Sequence, residues 1–127
     1  MIAERLLLDP TTQYVSVALH TTAEATWIEV CGELDLASVH HFEACLARAL
    51  ADDDGKPIHV DMAEVTFVDC TGFTPLIEAA AALQDGRFLK VINPSPRVRR
   101  LVELMGDVGI PIELLVLDPS WWGQSLD

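Results

Sequence analysis

The sequence predicts a single α/β domain, a mixed β-sheet with crossover helices in the order ββαβαβαβ. Three observations carry this prediction. Short runs rich in β-branched residues alternate with longer stretches whose apolar residues recur at helical spacing. Clusters of Gly, Pro, Asp and Asn separate these segments. The chain has 127 residues, the length of one ordinary domain, and 50% of them are hydrophobic.

The chain opens with two strands and a helix. Tyr14 to Leu19 and Thr26 to Cys31 are β-rich runs, and the polar stretch between them predicts a hairpin. The first helix is predicted over Leu36 to Leu50, with one apolar stripe formed by Val39, Phe42, Leu46, Ala49 and Leu50. The acidic run that follows lacks the alternating ligand spacing of a calcium site, so it predicts a solvated turn.

A strand and a helix form the middle of the chain. The strand is predicted over Pro57 to Met62. The second helix is expected to begin near Thr71 or Gly72 and no earlier, because Pro75 is tolerated only in the first turn. Gly86 is predicted to end this helix as a left-handed cap.

The last third of the chain repeats this pattern. Phe88 to Ile92 is the fourth predicted strand. Ser95 is a good N-cap for a third helix that starts at Pro96 and is predicted to end at Gly106. Ile110 to Leu117 is the last predicted strand. Right-handed crossovers then place the three helices largely on one side of the sheet.

One domain, residues 1–127, accounts for all of these elements, with a core over about 13–117 and a short tail over 118–127. The tail carries Trp121 and Trp122. The sequence leaves two roles open for this pair: a cover for the sheet edge or an exposed contact site.

The charge balance excludes a nucleic-acid partner. Only 8 Lys and Arg stand against 20 Asp and Glu, which gives a net charge of −12. Such a charge repels phosphate backbones, and we interpret the cluster of Arg97, Arg99 and Arg100 as a solvated basic face. No signal sequence opens the chain and no apolar run is long enough to cross a bilayer. We therefore expect a cytoplasmic protein without direct membrane insertion.

No catalytic, cofactor or metal motif is present in the sequence. Three cysteines, Cys31, Cys45 and Cys70, form neither a CxxC pair nor an even disulfide set. The sequence contains no GxSxG elbow, no phosphate-binding loop and no dinucleotide-binding fingerprint. We therefore expect no enzyme, no metal and no cofactor.

Polar residues follow three predicted strands at the point where each strand ends. They are the segments Gly32–Asp35, Asp69–Gly72 and Asn93–Pro96. Open α/β sheets place their binding surface at the carboxyl ends of the strands. The sequence therefore predicts one working surface at this edge, centred on Asp69–Gly72.

In this order, the three segments resemble motifs of the STAS domains of anti-sigma factor antagonists. Gly32–Asp35 follows the pattern G-E-[LI]-D. Residues 69–72 follow D-S-[ST]-G, with Cys70 in place of the serine. The third pattern, N/S-P-x-V-x-R/K-L-L-x-x-x-G, is matched by Ser95, Pro96, Val98, Arg100, Leu101 and Gly106. The resemblance covers roughly residues 13–117 and implies the STAS fold.

The resemblance implies a regulatory protein-binding module. In this family, the unphosphorylated antagonist binds a GHKL-type serine kinase that is also an anti-sigma factor, and thereby releases the sigma factor. Phosphorylation of the first hydroxyl residue in D-S-[ST]-G ends this binding. The residues that the resemblance places at the partner-binding surface are Glu33, Asp35, Asp69, Gly72, Phe73 and Ser95. From the residues alone, Glu33 and Asp35 equally fit a role as caps of the first helix.

Cys70 occupies the position equivalent to the phosphoacceptor, and a serine kinase cannot use a thiol. Four interpretations stay open: Thr71 is the acceptor instead, the protein binds its partner constitutively, Cys70 is a redox switch, or Cys70 is an inert replacement of similar volume. The exposed N–H groups of a helix start favour a thiolate, whereas the neighbouring Asp69 opposes it.

A second function stays open beside the antagonist. A STAS domain that has lost its phosphoacceptor also suits a subunit of a transporter or of a stress-signalling assembly. An enzyme or ligand carrier is the third class. The sequence leaves self-association open.

Overall fold

The computed structural model describes residues 2–6, 15–52 and 54–117. Within these ranges one six-stranded sheet packs against three helices. The strands are β1 (Ile2–Leu6), β2 (Val15–Thr21), β3 (Thr26–Leu34), β4 (Ile58–Val68), β5 (Leu89–Ile92) and β6 (Val116–Leu117). The helices are α1 (Val39–Ala51), α2 (Cys70–Ala82) and α3 (Pro96–Asp107), and a short 3-10 helix spans Ile112–Leu114.

The strands lie side by side in chain order. The pairs β1–β2 and β2–β3 are antiparallel, and all later pairs are parallel. Each parallel pair is joined through one of the three helices, as parallel neighbours require. From Val15 onwards, the predicted order ββαβαβαβ is therefore confirmed.

Strand β1 precedes the predicted elements and was missed by the sequence analysis. It pairs with β2 from Ile2 opposite Thr21 to Leu6 opposite Val17. The run Ile-Ala-Glu-Arg-Leu contains good helix formers and no clear alternation, so its local pattern does not indicate a strand. Pairing with the edge of β2 decides its conformation.

The core lies between one face of the sheet and the helices. In β4, Ile58, Val60 and Met62 are completely buried, and the alternate residues lie on the other face. The helices bury most of their predicted apolar stripes against this layer: Val39, Phe42, Leu46 and Ala49 on α1, and Val98, Val102 and Met105 on α3. Leu50 of the predicted α1 stripe is only half-buried, whereas Cys45, which was not part of it, is buried. Cys45 is therefore a packing residue of the core. No helix in the described ranges is long and apolar enough to cross a bilayer.

Among the described residues, the opposite face of the sheet carries a row of rings and no helix. His20 pairs with Trp27, and Trp27 pairs with His59, in neighbouring strands. The ring centroids of Trp27 and His59 are 4.8 Å apart in an edge-to-face arrangement, and Phe88 continues the row. Burial and, to a smaller extent, the positive charge of Lys90 lower the pKa of His59.

Two helix starts differ from the predicted boundaries. Helix α1 begins at Val39, because residues 36–38 form a turn. Helix α2 begins at Cys70, earlier than Pro75 suggested. The Asp69 side chain caps α2. This cap compensates for Pro75, which lies beyond the first turn and has no N–H to donate to the Thr71 carbonyl.

The helix ends also differ. The predicted cap at Gly86 is wrong: α2 ends at Ala82, and Gly86, with a φ of +83°, lies in the turn before β5. Gly106 lies inside α3 rather than after it, where its missing side chain leaves room for Ile112. The start of α3 is confirmed, since the Ser95 hydroxyl accepts a hydrogen bond from the Val98 amide.

The last predicted strand is much shorter than expected. Only Val116–Leu117 pairs with β5, because the chain first forms the 3-10 helix after Pro111, which has no N–H for a strand ladder. Trp121 and Trp122 lie outside the described residues. The division into a core over 13–117 and a tail over 118–127 stays a prediction.

His59 predicts a component of the pH dependence of folding. Its folded pKa lies below the ordinary value of 6.5, so the unfolded chain takes up the proton more readily. Stability is therefore lost as the pH falls through 6.5 towards the lowered pKa of the folded state. We expect His59→Gln to lose less stability than the wild type between about pH 7.5 and about pH 5 in urea unfolding. Parallel pH curves for the two proteins would contradict this assignment.

Candidate docking site at the start of helix α2

The loop between β3 and α1 is closed by Asp35. Its Oδ1 atom accepts hydrogen bonds from the amides of Ala37, at 3.0 Å, and Ser38, at 3.2 Å. The Ser38 hydroxyl donates to the Glu33 carbonyl at 2.8 Å. Asp35 therefore holds the turn that precedes α1 and does not cap the helix, whose N-cap residue Ser38 makes no side-chain cap hydrogen bond. Glu33 contributes its carbonyl and leaves its side chain exposed, so a role as cap of α1 is wrong for both residues.

The start of α2 is tied to the end of β3. Asp69 Oδ1 accepts a hydrogen bond from the Gly72 amide at 2.8 Å, as an N-cap. The Asp69 carbonyl accepts from the Phe73 amide at 3.0 Å, and the Asp69 amide donates to the Leu34 carbonyl at 3.4 Å. These bonds place Cys70 at the first helical position, with its side chain exposed.

Gly72 is required by this close approach. A Cβ atom added to Gly72 would lie 2.7 Å from the carbonyl carbon of Leu34 and would overlap the carbonyl oxygen. These are backbone atoms at the end of a buried strand, so they cannot move aside at low cost. The glycine of the 69–72 motif therefore serves the packing of α2 on β3, and it is itself buried.

A groove runs from this point between α1 and α2. Near the start of α2 it is lined by Leu36, Val39, His40, Glu43, Thr71, Thr74, Pro75 and Glu78. Leu36 is 68% exposed and lies at the mouth of this groove. Thr71 is exposed beside it, and the Thr74 hydroxyl donates to the Cys70 carbonyl at 2.6 Å. The first two strand-exit segments thus form one surface.

The third strand-exit segment lies elsewhere. β5 ends at Ile92, which pairs with Asp61, and the Ser95 amide donates to the Met62 carbonyl at 3.2 Å. β4 continues to Val68, which pairs with Leu34. Because of register shifts, the seven steps of β4 from Asp61 to Val68 match the five steps of β3 from Glu29 to Leu34, so Val68 lies about 16 Å beyond Asp61 at about 3.3 Å per residue. The expectation that all three segments share one edge is therefore wrong for residues 93–96.

Comparison with known proteins identifies the family. The family model described as "Mlab, STAS domain" matches residues 17–113, more than two thirds of the chain. This chain belongs to the STAS domain family. Among curated relatives, the anti-sigma-B factor antagonist of Staphylococcus epidermidis is 30% identical over 80 residues, which is 62% of this chain and 73% of the relative.

Solved structures share the STAS fold. An anti-sigma factor antagonist from Mycobacterium paratuberculosis matches with a TM-score of 0.72 and 20% identity, over 83% of this chain and 86% of that one. Unphosphorylated SpoIIAA, an anti-sigma factor antagonist, matches with a TM-score of 0.59 and 22% identity, over 84% and 91%. The murine Slc26a9 anion transporter matches with a TM-score of 0.62 and 19% identity, over 79% of this chain and 17% of the transporter.

The STAS site residues predicted from the sequence fall into two groups. Glu33, Cys70 and Thr71 are exposed, and Asp35 and Asp69 are half-buried. Gly72, Phe73 and Ser95 are buried, so a direct contact of these residues with a partner does not fit their position. Phe73, which is 0% exposed, anchors α2 in the core, and Ser95 caps α3.

Leu36 and Glu78 lie outside the sequence motifs, and both are exposed at the groove. Leu36 lies outside the apolar stripe of α1. This position is the feature of the sequence that indicates a solvent-facing side chain. In residues 2–6, 15–52 and 54–117, no group of His, Cys, Asp and Glu could hold a metal ion.

Two helical glycines provide a matched test of the packing at the site. We expect Gly72→Ala to destabilise the protein by about 3 kcal/mol, because the new methyl group meets the Leu34 backbone. Gly106→Ala places a methyl group 3.0 Å from Ile112 Cδ1, the flexible end of a side chain, and gains up to about 1 kcal/mol of helix propensity. We expect it to be neutral within about 1 kcal/mol. Urea unfolding measures both changes, and equal effects would contradict the close approach.

Proposed function

We propose that this STAS protein is an anti-sigma factor antagonist. In this proposal it is a non-enzymatic regulator in the cytoplasm that binds an anti-sigma factor of the GHKL-type serine kinase class, in a partner-switching pathway. The observation that carries the proposal is the joined surface at the start of α2, where exposed Leu36 and Thr71 line one groove. The 30% identity to an anti-sigma-B factor antagonist supports it.

The geometry suits a docking surface rather than a catalytic centre. The carboxylates of Asp35 and Asp69 accept backbone amides in their own loops, so they hold the surface in one conformation. A surface that is ordered before binding loses little conformational entropy when a partner arrives. Leu36, 68% exposed, offers the partner an apolar anchor at the edge of this rigid frame.

Leu36 provides the direct test of this docking surface. We expect Leu36→Ala to weaken binding to a purified GHKL-type anti-sigma factor about tenfold, because an anchor residue of an interface contributes 1 to 2 kcal/mol or more. Leu104→Ala is the matched control, since Leu104 is 47% exposed on α3, outside this groove. Calorimetry of both variants measures the change. If Leu36→Ala binds the anti-sigma factor with the same affinity as the wild type, the docking surface does not include Leu36 and the assignment is wrong.

Regulation at residue 70 differs in this proposal from phosphorylation of a serine. Cys70 has no hydroxyl for a serine kinase. Thr71 is exposed, but successive residues of a helix point about 100° apart, so its hydroxyl does not replace one at residue 70. We therefore propose that the chain binds its partner constitutively with respect to phosphorylation.

Cys70→Ser tests this proposal by restoring the hydroxyl. After incubation with the kinase and ATP, we expect no phosphate on the wild type in intact mass spectrometry. We expect Cys70→Ser to gain one phosphate and to lose affinity about tenfold or more, since a phosphate adds about −2 charges to a docking surface. A phosphate on the wild type that disappears in Thr71→Ala would identify Thr71 as the acceptor and overturn constitutive binding.

A transporter subunit is the second candidate function. The structural similarity to the murine Slc26a9 anion transporter favours this function. The similar part makes up 17% of the transporter chain. Affinity purification from the native cells distinguishes the two functions. Recovery of an anti-sigma factor kinase supports the antagonist, and recovery of transporter subunits supports the second candidate.

A further inference from the structure

We propose that the seam between α1 and α2 binds a cationic amphipathic helix of the protein partner. The proposal rests on the proposed function, because it names the chemistry of the partner segment. The seam consists of two adjoining grooves that share Glu43, Pro75 and Glu78. The first reaches Leu36 and Thr71 at the start of α2, and the second continues along the helices. The second is lined in addition by Leu46, Ala47, Leu50 and Ala79.

The floor of the seam is apolar and made of small or flat side chains. Pro75 and Ala79 of α2 are buried there, beside the buried Leu46 of α1. Ala47 is exposed and Leu50 is half-buried on the α1 side. Small residues let a third helix lie close to the two helices of a groove. Such a helix contacts the groove with apolar residues three and four positions apart.

The length of the seam also suits a helix. It extends from Leu36, before α1, to Leu50, in the last turn of α1, which has 13 residues. A helix of this length measures about 20 Å, enough for three or four turns of the partner. Leu36, exposed at one end, can pack against the end of that helix.

The charges along the seam select a positively charged partner. Glu43 of α1 and Glu78 of α2 are both exposed on its walls. His40, whose Nδ1 lies 3.5 Å from Glu43 Oε1, is the one potential cation among the residues that line the two grooves. The net charge of −12 adds a long-range attraction. Lys or Arg at the flanks of an apolar stripe therefore complements the seam.

The third helix explains why such a segment prefers the seam to other helical surfaces of the chain. The first half of α3 carries positive charge from three arginines: Arg97 and Arg100, which are exposed, and Arg99. A cationic segment is repelled there and attracted between Glu43 and Glu78.

Two synthetic peptides, each as long as α1, test the proposal with the full chain. Both have leucines at spacings of three and four, with lysine at the other positions in one and glutamate in the other. We expect the Leu/Lys peptide to bind and to shift the backbone NMR signals of α1 and α2, and the Leu/Glu peptide to leave them unchanged. The double variant Glu43→Lys with Glu78→Lys is expected to bind the Leu/Lys peptide at least about tenfold more weakly.

The matched control is the double variant Glu29→Lys with Glu64→Lys. It changes the net charge by the same amount, and both residues are exposed on strands, away from the helices. We expect this control variant to bind the Leu/Lys peptide about twofold more weakly at most, because only long-range attraction is lost. All four glutamates are exposed, so unchanged circular dichroism is expected for both variants.

Three results would overturn the seam assignment: equal weakening by both double variants, equal binding of the two peptides, or signal shifts confined to α3 or the helix-free face. These results do not depend on the anti-sigma factor. If the Leu/Lys peptide binds the seam but the kinase does not bind the chain, only the proposed function fails. If the kinase binds the double variant Glu43→Lys with Glu78→Lys as tightly as the wild type, the seam assignment fails and the proposed function stands.

Discussion

The close approach of the first turn of α2 to the end of β3 determines the geometry of the whole site. The Leu34 carbonyl accepts the Asp69 amide at 3.4 Å and leaves no space for a side chain at Gly72. Because Phe73 is buried directly after this contact, α2 cannot rotate or slide without opening the core. The exposed residues Cys70 and Thr71 are therefore held beside the turn that follows β3.

The acidic residues of the site divide into two groups. Asp35 and Asp69 accept hydrogen bonds from backbone amides and hold the two loops in place. Glu43 and Glu78 are exposed on the walls of the seam, where they face solvent. The motif carboxylates thus shape the surface, and carboxylates outside the motifs set its charge.

In the proposed function, the docking surface and its regulation separate at Cys70. The cap of α2 comes from the Asp69 side chain, and the Cys70 carbonyl, not its thiol, accepts the Thr74 hydroxyl. In the proposed function, a thiol in place of a serine hydroxyl leaves these contacts intact and changes only the chemistry that is available to a kinase.

The sequence by itself determined the elements whose signals are local. Periodicity and capping signals predict the apolar stripes of α1 and α3, the Ser95–Pro96 start of α3, and the order of strands and helices along the chain from Val15. Only the tertiary structure decided which strand-exit segments meet. Strand β4 extends beyond the end of β5, so Ser95 lies far from Val68. The exposure of Leu36 and the seam also arise from packing between distant segments. Strand length and helix contact depend on partners that no local pattern specifies.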